Sequence, residues 1–364
     1  MPHVRAREYV VPDQDVYELE YVEVIQRHHK RSPYQKNTFP AEDHEWPGCG
    51  DTREFYYGQP TPGFDAAKIY WDNYQDPLNP LQKPGYQGSC QFPQITKDGL
   101  QDSYTHGKDL YEVYGKKLNF LPRFFGETTI FRVTSNVITS QVAGGLIKGM
   151  FGTSAEVPVL QQYDSIDSLR PGYSCGYADN IRGAYQGNNL NWTEHLEQSQ
   201  QLFITDPKNC VSSDDADKVF RLAQFEYSYI FRDAPQSLEY ARTKYGLYLN
   251  ELAARLRQHI QGIMPGAEVK YRHNIAHDGS MAPLLGALQV SEMVWPGMGS
   301  EVVFELYSSS RGEKKWFVRV LWGGKVMHSS AMGEINMIPA DELLGYITGL
   351  VGENASYVLG KCGY

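Results

Sequence analysis

The run Tyr21-Val22-Glu23-Val24-Ile25 alternates and is rich in β-branched residues, which predicts a strand. Residues 268–276 have the character of a second strand, and Phe131-Arg132-Val133 of a third. Helical periodicity begins near Gly99 and continues to about Tyr114. Asn136 is a good N-cap for a helix through Met150, and Ala143, Gly144 and Gly145 would let that helix lie close to a sheet. Apolar stripes at i, i+3 and i+4 over Phe220–Tyr227 and Leu247–Leu256 predict two more helices, and the small, apolar Gly279–Leu288 a further one. Between residues 34 and 105 periodicity is weak and Pro, Gly, Asn and Asp are frequent. Aromatics such as Trp46, Tyr56, Tyr57, Tyr70 and Trp71 there predict ordered loops wrapped on a core.

At 364 residues the chain exceeds a typical single domain. The expected class is α/β, an open mixed sheet flanked by helices with a helical cap insertion. The core is expected at 15–174 and 266–364, and the mainly helical cap at 175–265. Acidic residues outnumber basic ones, 43 to 34, for a net charge of −9. That argues against a nucleic-acid or anionic-membrane partner, both of which favour a basic face. It also argues against a strongly polyanionic substrate, unless cations are concentrated in the pocket. No stretch approaches the ~20 apolar residues that span a bilayer.

The start Met1-Pro2-His3-Val4-Arg5-Ala6-Arg7-Glu8 lacks an apolar signal-peptide core, which by itself suggests cytoplasm. Two N-glycosylation triplets, Asn191-Trp192-Thr193 and Asn354-Ala355-Ser356, point the other way. So do five cysteines without metal spacing, enough for two bridges and one thiol. An extracellular protein whose signal peptide has been removed reconciles these observations; cytoplasm is the alternative.

The chemistry concentrates at two places. Gln26-Arg27-His28-His29-Lys30-Arg31-Ser32-Pro33 follows the first strand, where open α/β sheets bind their ligands. Two arginines flanking a histidine can grip an anion with guanidinium forks while the imidazole attacks it. The second place is His277-Asp278, between a predicted strand and a helix start, a position that favours bound anions. A metal is not expected. Adjacent His28 and His29 cannot easily face one ion together with His44, and no H-E-x-x-H or cysteine pair exists. No cofactor is expected either.

Together these segments resemble the histidine acid phosphatases, branch 2 of the histidine phosphatase superfamily, which includes phytases and acid phosphatases. There an R-H-G-x-R-x-P motif closes the first strand and a distant His-Asp pair supplies the proton donor. Thr96-Lys97-Asp98-Gly99-Leu100 through Gly107 to Tyr114 is similar to the family's L-T-x-x-G segment. Trp295-Pro296 through Ser300-Glu301 to Leu306 is similar to its W-P-x-x-S-E strand, and Phe317–Leu321 to the strand that follows. The matches run in family order from about Tyr21 to about Met327.

The resemblance implies hydrolysis of a small phosphomonoester through a phosphohistidine on His28, with Asp278 as proton donor and Arg27, Arg31 and His277 holding the phosphate. Two departures stand out. His29 replaces the family's glycine at the substrate loop, and Asn136 occupies the position of its third arginine, with Arg132 one helical turn earlier as a possible substitute. His29, Arg132 and Asn136 are therefore candidate substrate-binding residues. The departures also leave open a hydrolase or lyase re-tuned for a non-phosphate substrate, or a non-catalytic anion-binding protein.

Overall fold

The computed structural model describes residues 2–34, 48–49, 78, 89–153, 155–187, 213–263, 269–309 and 311–364. Trp46, Tyr56, Tyr57, Tyr70, Trp71, His44, Cys210 and the Asn191 triplet lie outside these residues.

The sheet is built on β1 (Tyr17–Arg27), β2 (Thr129–Val133), β3 (Val159–Gln161), β4 (Tyr271–Ala276), β5 (Glu301–Ser309) and β6 (Trp316–Trp322). Short strands β7 (Lys325–Val326) and β10 (Ile338–Pro339) complete eight strands, while β8 (His328–Ser329) and β9 (Gly333–Glu334) form a separate ribbon. The order β10-β6-β5-β1-β4-β2-β3 is mixed. β1 runs parallel to β4, β4 to β2 and β2 to β3, whereas β5 is antiparallel to β1. The open mixed sheet expected from the sequence is the observed one.

Register decides the site. Arg27 lies opposite Ala276, Ile275 opposite Val133, and Gln26 opposite Glu301. The carboxyl ends of β1, β4 and β2 therefore share one edge with the start of β5. Whatever follows those strands must meet there, at the place open α/β sheets use for ligands.

One face of the sheet is covered by α1 (Lys97–Tyr111), continued by a π-helical turn Glu112–Lys117, and by α2 (Val137–Phe151). Leu110, Tyr114, Ile138, Val142 and Leu146 bury there against Val22, Val24, Phe131 and Tyr271. The other face carries α3 (Gly176–Gly187), α4 (Ser213–Ser228), α5 (Ser237–Gln261), α6 (Asp278–Ala287), α7 (Ala340–Val351) and α8 (Ser356–Cys362). Tyr245, Tyr248, Leu249 and Leu252 of α5 pack there with Tyr21, Ile25, Leu284 and Leu285. Alternation along β1, odd positions to one face and even to the other, is what lets one strand serve both cores.

The small residues of α2 have a different use from the one expected. A Cβ on Gly144 would meet nothing, but one on Gly145 would press on Ser103 and Leu100, and one on Gly149 would lie 2.0 Å from the Tyr104 carbonyl oxygen. They bring α1, rather than the sheet, close to α2. The bridges Cys49–Cys90 and Cys175–Cys362 close 41 and 187 residues. The first sits beside the loop after β1, where Ser32 Oγ donates to the Gln91 carbonyl. Asn354 is exposed, and no helix among the described residues is long and apolar enough to cross a membrane.

Candidate active site

The loop after β1 is held from three directions. Arg27 N–H donates to the Ser300 carbonyl and His28 N–H to that of Ala276, while the His28 carbonyl accepts from Gly299 N–H. From α1, Thr96 N–H donates to the Lys30 carbonyl, and a Cβ on Gly99 would sit 2.1 Å from that oxygen. The threonine and glycine of the T-x-x-G segment thus let a helix N-terminus press on the loop.

His28 is buried, 2% exposed, with Nδ1 2.8 Å from the His29 carbonyl. A carbonyl only accepts, so Nδ1 carries the ring proton and Nε2 keeps its lone pair. Burial, then the neighbouring His277 and Arg27, hold His28 well below the usual histidine range, so the ring stays neutral in mild acid. The His277 ring lies 5.4 Å away, centroid to centroid, and its Nε2 meets Thr134 Oγ1 at 2.9 Å. Burial and the charge of Arg170 push His277 down to about 4.

Asp278 opens α6. Its Oδ1 accepts from Gly279 N–H, and its Oδ2 accepts from Arg27 at 2.8 Å and from the Trp295 indole at 3.0 Å. Burial raises its carboxyl, but the Arg27 guanidinium and the indole N–H override that and hold it below its ordinary value. Arg27 also donates to the Pro296 carbonyl and stacks over Trp295. Arg31 donates to the Ser32 carbonyl and lies over the Tyr34 ring, 4.3 Å from its centroid. The buried Nε atoms of both arginines have no partner among the described residues. Arg27, His28, Arg31, His277 and Asp278, 250 residues apart in sequence, thus gather at one edge of the sheet.

Three candidates go elsewhere or play another part. Arg132 points to the α5 face, where its guanidinium binds Glu251, Asp167, Ser168 and Gln162. It is committed to carboxylates and does not reach the pocket. His29 is fully buried on the α1 side, facing His106, and cannot line a substrate site. Asn136 does sit at the edge, but its Oδ1 caps Ile138 N–H and its amide donates to Tyr34 Oη. It props the aromatic ring beneath Arg31.

Residues that sequence reasoning passed over complete the picture. Arg170, paired with Asp164, is near enough to depress His277, and Asp164 also accepts from Ser135 Oγ. Trp295 was visible only as part of a motif without a role. Tyr227 and Phe220 of α4 pack on Trp295, 5.9 and 6.3 Å between centroids, and Phe220 is 56% exposed. No local pattern marks Arg170, because its neighbour His277 is brought to it by the sheet.

Comparisons with known proteins point to one family. Residues 173–322 match the model of the histidine phosphatase superfamily, branch 2. The chain is 24% identical to lysophosphatidic acid phosphatase type 6 of Homo sapiens, over 86% of this chain and 79% of that one. It is 22% identical to the Bos taurus protein of the same name, over 92% and 84%. Among solved structures, Hafnia alvei phytase in complex with tartrate superposes with a TM-score of 0.58 at 12% identity, covering 94% of this chain and 99% of that one. Multiple inositol polyphosphate phosphatase of Bifidobacterium longum gives 0.57 at 10% identity, over 97% and 96%. By these comparisons the chain is a histidine acid phosphatase-like hydrolase, and its residues 173–322 match branch 2 of the histidine phosphatase superfamily.

Proposed function

We propose that this protein hydrolyses phosphomonoesters through a phosphohistidine at His28. The observation that carries the reading is the pairing, at one edge, of an imidazole whose proton lies on Nδ1 with the Asp278 carboxyl that Arg27 grips. Nε2 attacks phosphorus in line with the ester oxygen, the P–O bond breaks, and Asp278 gives its proton to the departing alkoxide. Water then attacks the phosphohistidine, losing its proton to Asp278, and His28 leaves as the neutral ring. Arg27 and Arg31, whose Nε atoms have no partner among the described residues, hold the non-bridging oxygens together with His277.

In the free enzyme Asp278 is tied to Arg27 and ionised in mild acid. An incoming phosphate competes for Arg27 and brings negative charge, and both effects return a proton to Asp278. Arg170 is the cation that compensates for the family's missing third arginine. The substrate is a small monoester with an apolar side, because Trp295, Tyr227 and the exposed Phe220 stand next to the proton donor. The name of the human relative, a lysophosphatidic acid phosphatase, supports a lipid phosphate monoester over an inositol polyphosphate. We also propose α4, within the 175–265 segment, as the part of the cap that covers the leaving group, and an extracellular or lysosomal location. The direct experiment is phosphoenzyme trapping with an aryl phosphate, beside a His28→Ala control. Absence of a His28-dependent acid-labile phosphate on an active enzyme would overturn the mechanism.

A further inference from the structure

Behind the loop lies a buried chain of polar groups that the proposed chemistry does not use. Glu301 Oε1 accepts from Val4 N–H at 2.7 Å, and Oε2 meets His106 Nε2 at 2.9 Å. His106 Nδ1 meets His29 Nε2 at 3.2 Å. Glu301, His106 and His29 are all fully buried. The His3 ring, itself bound to Asp109, lies 4.2 Å from that of His106. The far end of the chain is defined by Gly299, with φ +73°, where a Cβ would lie 2.4 Å from His29 Cε1 and 2.6 Å from Nδ1. Only glycine leaves room there for the ring that stands where the family has a glycine.

The hydrogen-bond polarity follows from the two ends. His29 Nδ1 is buried without a partner among the described residues and abuts the Gly299 backbone carbon. A bare lone pair is tolerated against a C–H, whereas an unpaired buried N–H is not. His29 therefore carries its proton on Nε2 and donates to His106, which donates to Glu301 while that carboxyl, raised by burial to about 7, is ionised. The loop's other bond comes from the opposite side: His28 Nδ1–H donates to the carbonyl of this same His29. Fixing the His29 ring fixes its peptide, and the peptide sets both the tautomer and the direction of the nucleophile.

We propose that Glu301, His106 and His29 form a directional hydrogen-bond relay that positions the His28 imidazole for attack. They are positioning residues, since none touches the pocket. The inference rests on His28 being the nucleophile, and a double-mutant cycle tests it with 4-nitrophenyl phosphate above pH 7, where Glu301 is ionised. Glu301→Gln keeps the acceptor for Val4 but can donate into His106, reversing the chain. It should lower kcat by about 10–100-fold, the scale of a misaimed reactive group, with KM nearly unchanged. In a His29→Gly background, which severs the link to the loop, Glu301→Gln should lower Tm but leave kcat where His29→Gly alone puts it. Equal losses of kcat in the two backgrounds, or no loss in either, would overturn the relay. Should His29→Gly fail to fold, His29→Gln, which can still donate to His106, should hold kcat within a few-fold of wild type, and a loss as large as that of Glu301→Gln counts against the relay. If the wild type turns over no phosphate, the proposed function fails instead. The relay is then read from imidazole ¹⁵N shifts, with His28 protonated at Nδ1 in the wild type and a tautomer mixture in Glu301→Gln; an unchanged tautomer overturns it.

Discussion

Single side chains in this pocket are tuned by what they touch. Asp278 shares one oxygen between Arg27 and Trp295, which keeps it ionised until substrate arrives. His28 stays neutral well into acid, so activity on poor leaving groups is expected to rise as pH falls and more Asp278 is protonated. A good leaving group needs no proton and should show no such limb. Asp278→Asn should therefore slow alkyl phosphates by ~10²–10⁴-fold and aryl phosphates far less. Equal losses on both would give Asp278 a structural role. Trp295→Phe removes an N–H that favours the carboxylate, so the acid limb should move to higher pH in a kcat/KM profile. Arg170, 46% exposed, is screened by solvent, and Arg170→Ala should cost about tenfold in kcat/KM. Arg132→Ala should instead lower Tm, by stranding Asp167 in the interior, and leave KM unmoved. Asn136→Arg should raise turnover while costing about 1 kcal/mol of stability through the lost α2 cap, as read by urea unfolding.

Elements act here through contacts between backbones. The α1–α2 pair meets where Gly107 and Gly149 let carbonyl oxygens approach to a distance no Cβ would allow. Gly149→Ala should push α1 away from α2 and, through Gly99 and Lys30, loosen the loop that carries His28. A joint fall in Tm and kcat is expected; an unchanged kcat would uncouple α1 from the site. The Cys49–Cys90 bridge holds the far side of that loop by closing 41 residues. Loop-closure entropy puts its contribution at roughly 4 kcal/mol, so Cys49→Ser with Cys90→Ser should lower the urea midpoint accordingly.

Across the whole molecule the sheet carries buried charge on both faces. Glu23, fully buried in β1, is gripped by Arg255 at 2.7 and 2.8 Å and by Tyr21, Tyr248 and Asn274. Burial raises its carboxyl, but Arg255 outweighs that and holds it at about 2. A depressed carboxyl contributes stability above its unfolded pKa of ~4.3, lost as pH falls toward about 2. The fold is thus protected through the acid range where the chemistry is expected to run. Arg255→Met should strand Glu23 and cost ~3–5 kcal/mol, shifting acid unfolding to higher pH in a circular-dichroism titration. A variant as acid-stable as the wild type would mean Glu23 is compensated by its other partners.

Much of this protein was legible along the chain, because the features involved are local. Strand alternation, the Asn136 cap, the basic stretch after β1 and His277-Asp278 before α6 each rest on neighbours within a few residues. The α2 helix runs Val137–Phe151, one residue from its expected end. What tertiary structure alone decided is where side chains at strand ends point and who else is present when they arrive. Arg132 lies on the expected strand, yet its parity along β2 sends it to α5 and Glu251 instead of the pocket. His29 follows His28 directly, yet the turn after Arg27 directs it to His106 and Gly299. Arg170 and Trp295 reach His277 and Asp278 only through parallel register and a returning antiparallel strand. Sequence specifies elements through short-range periodicity; the contacts between their ends depend on packing hundreds of residues apart.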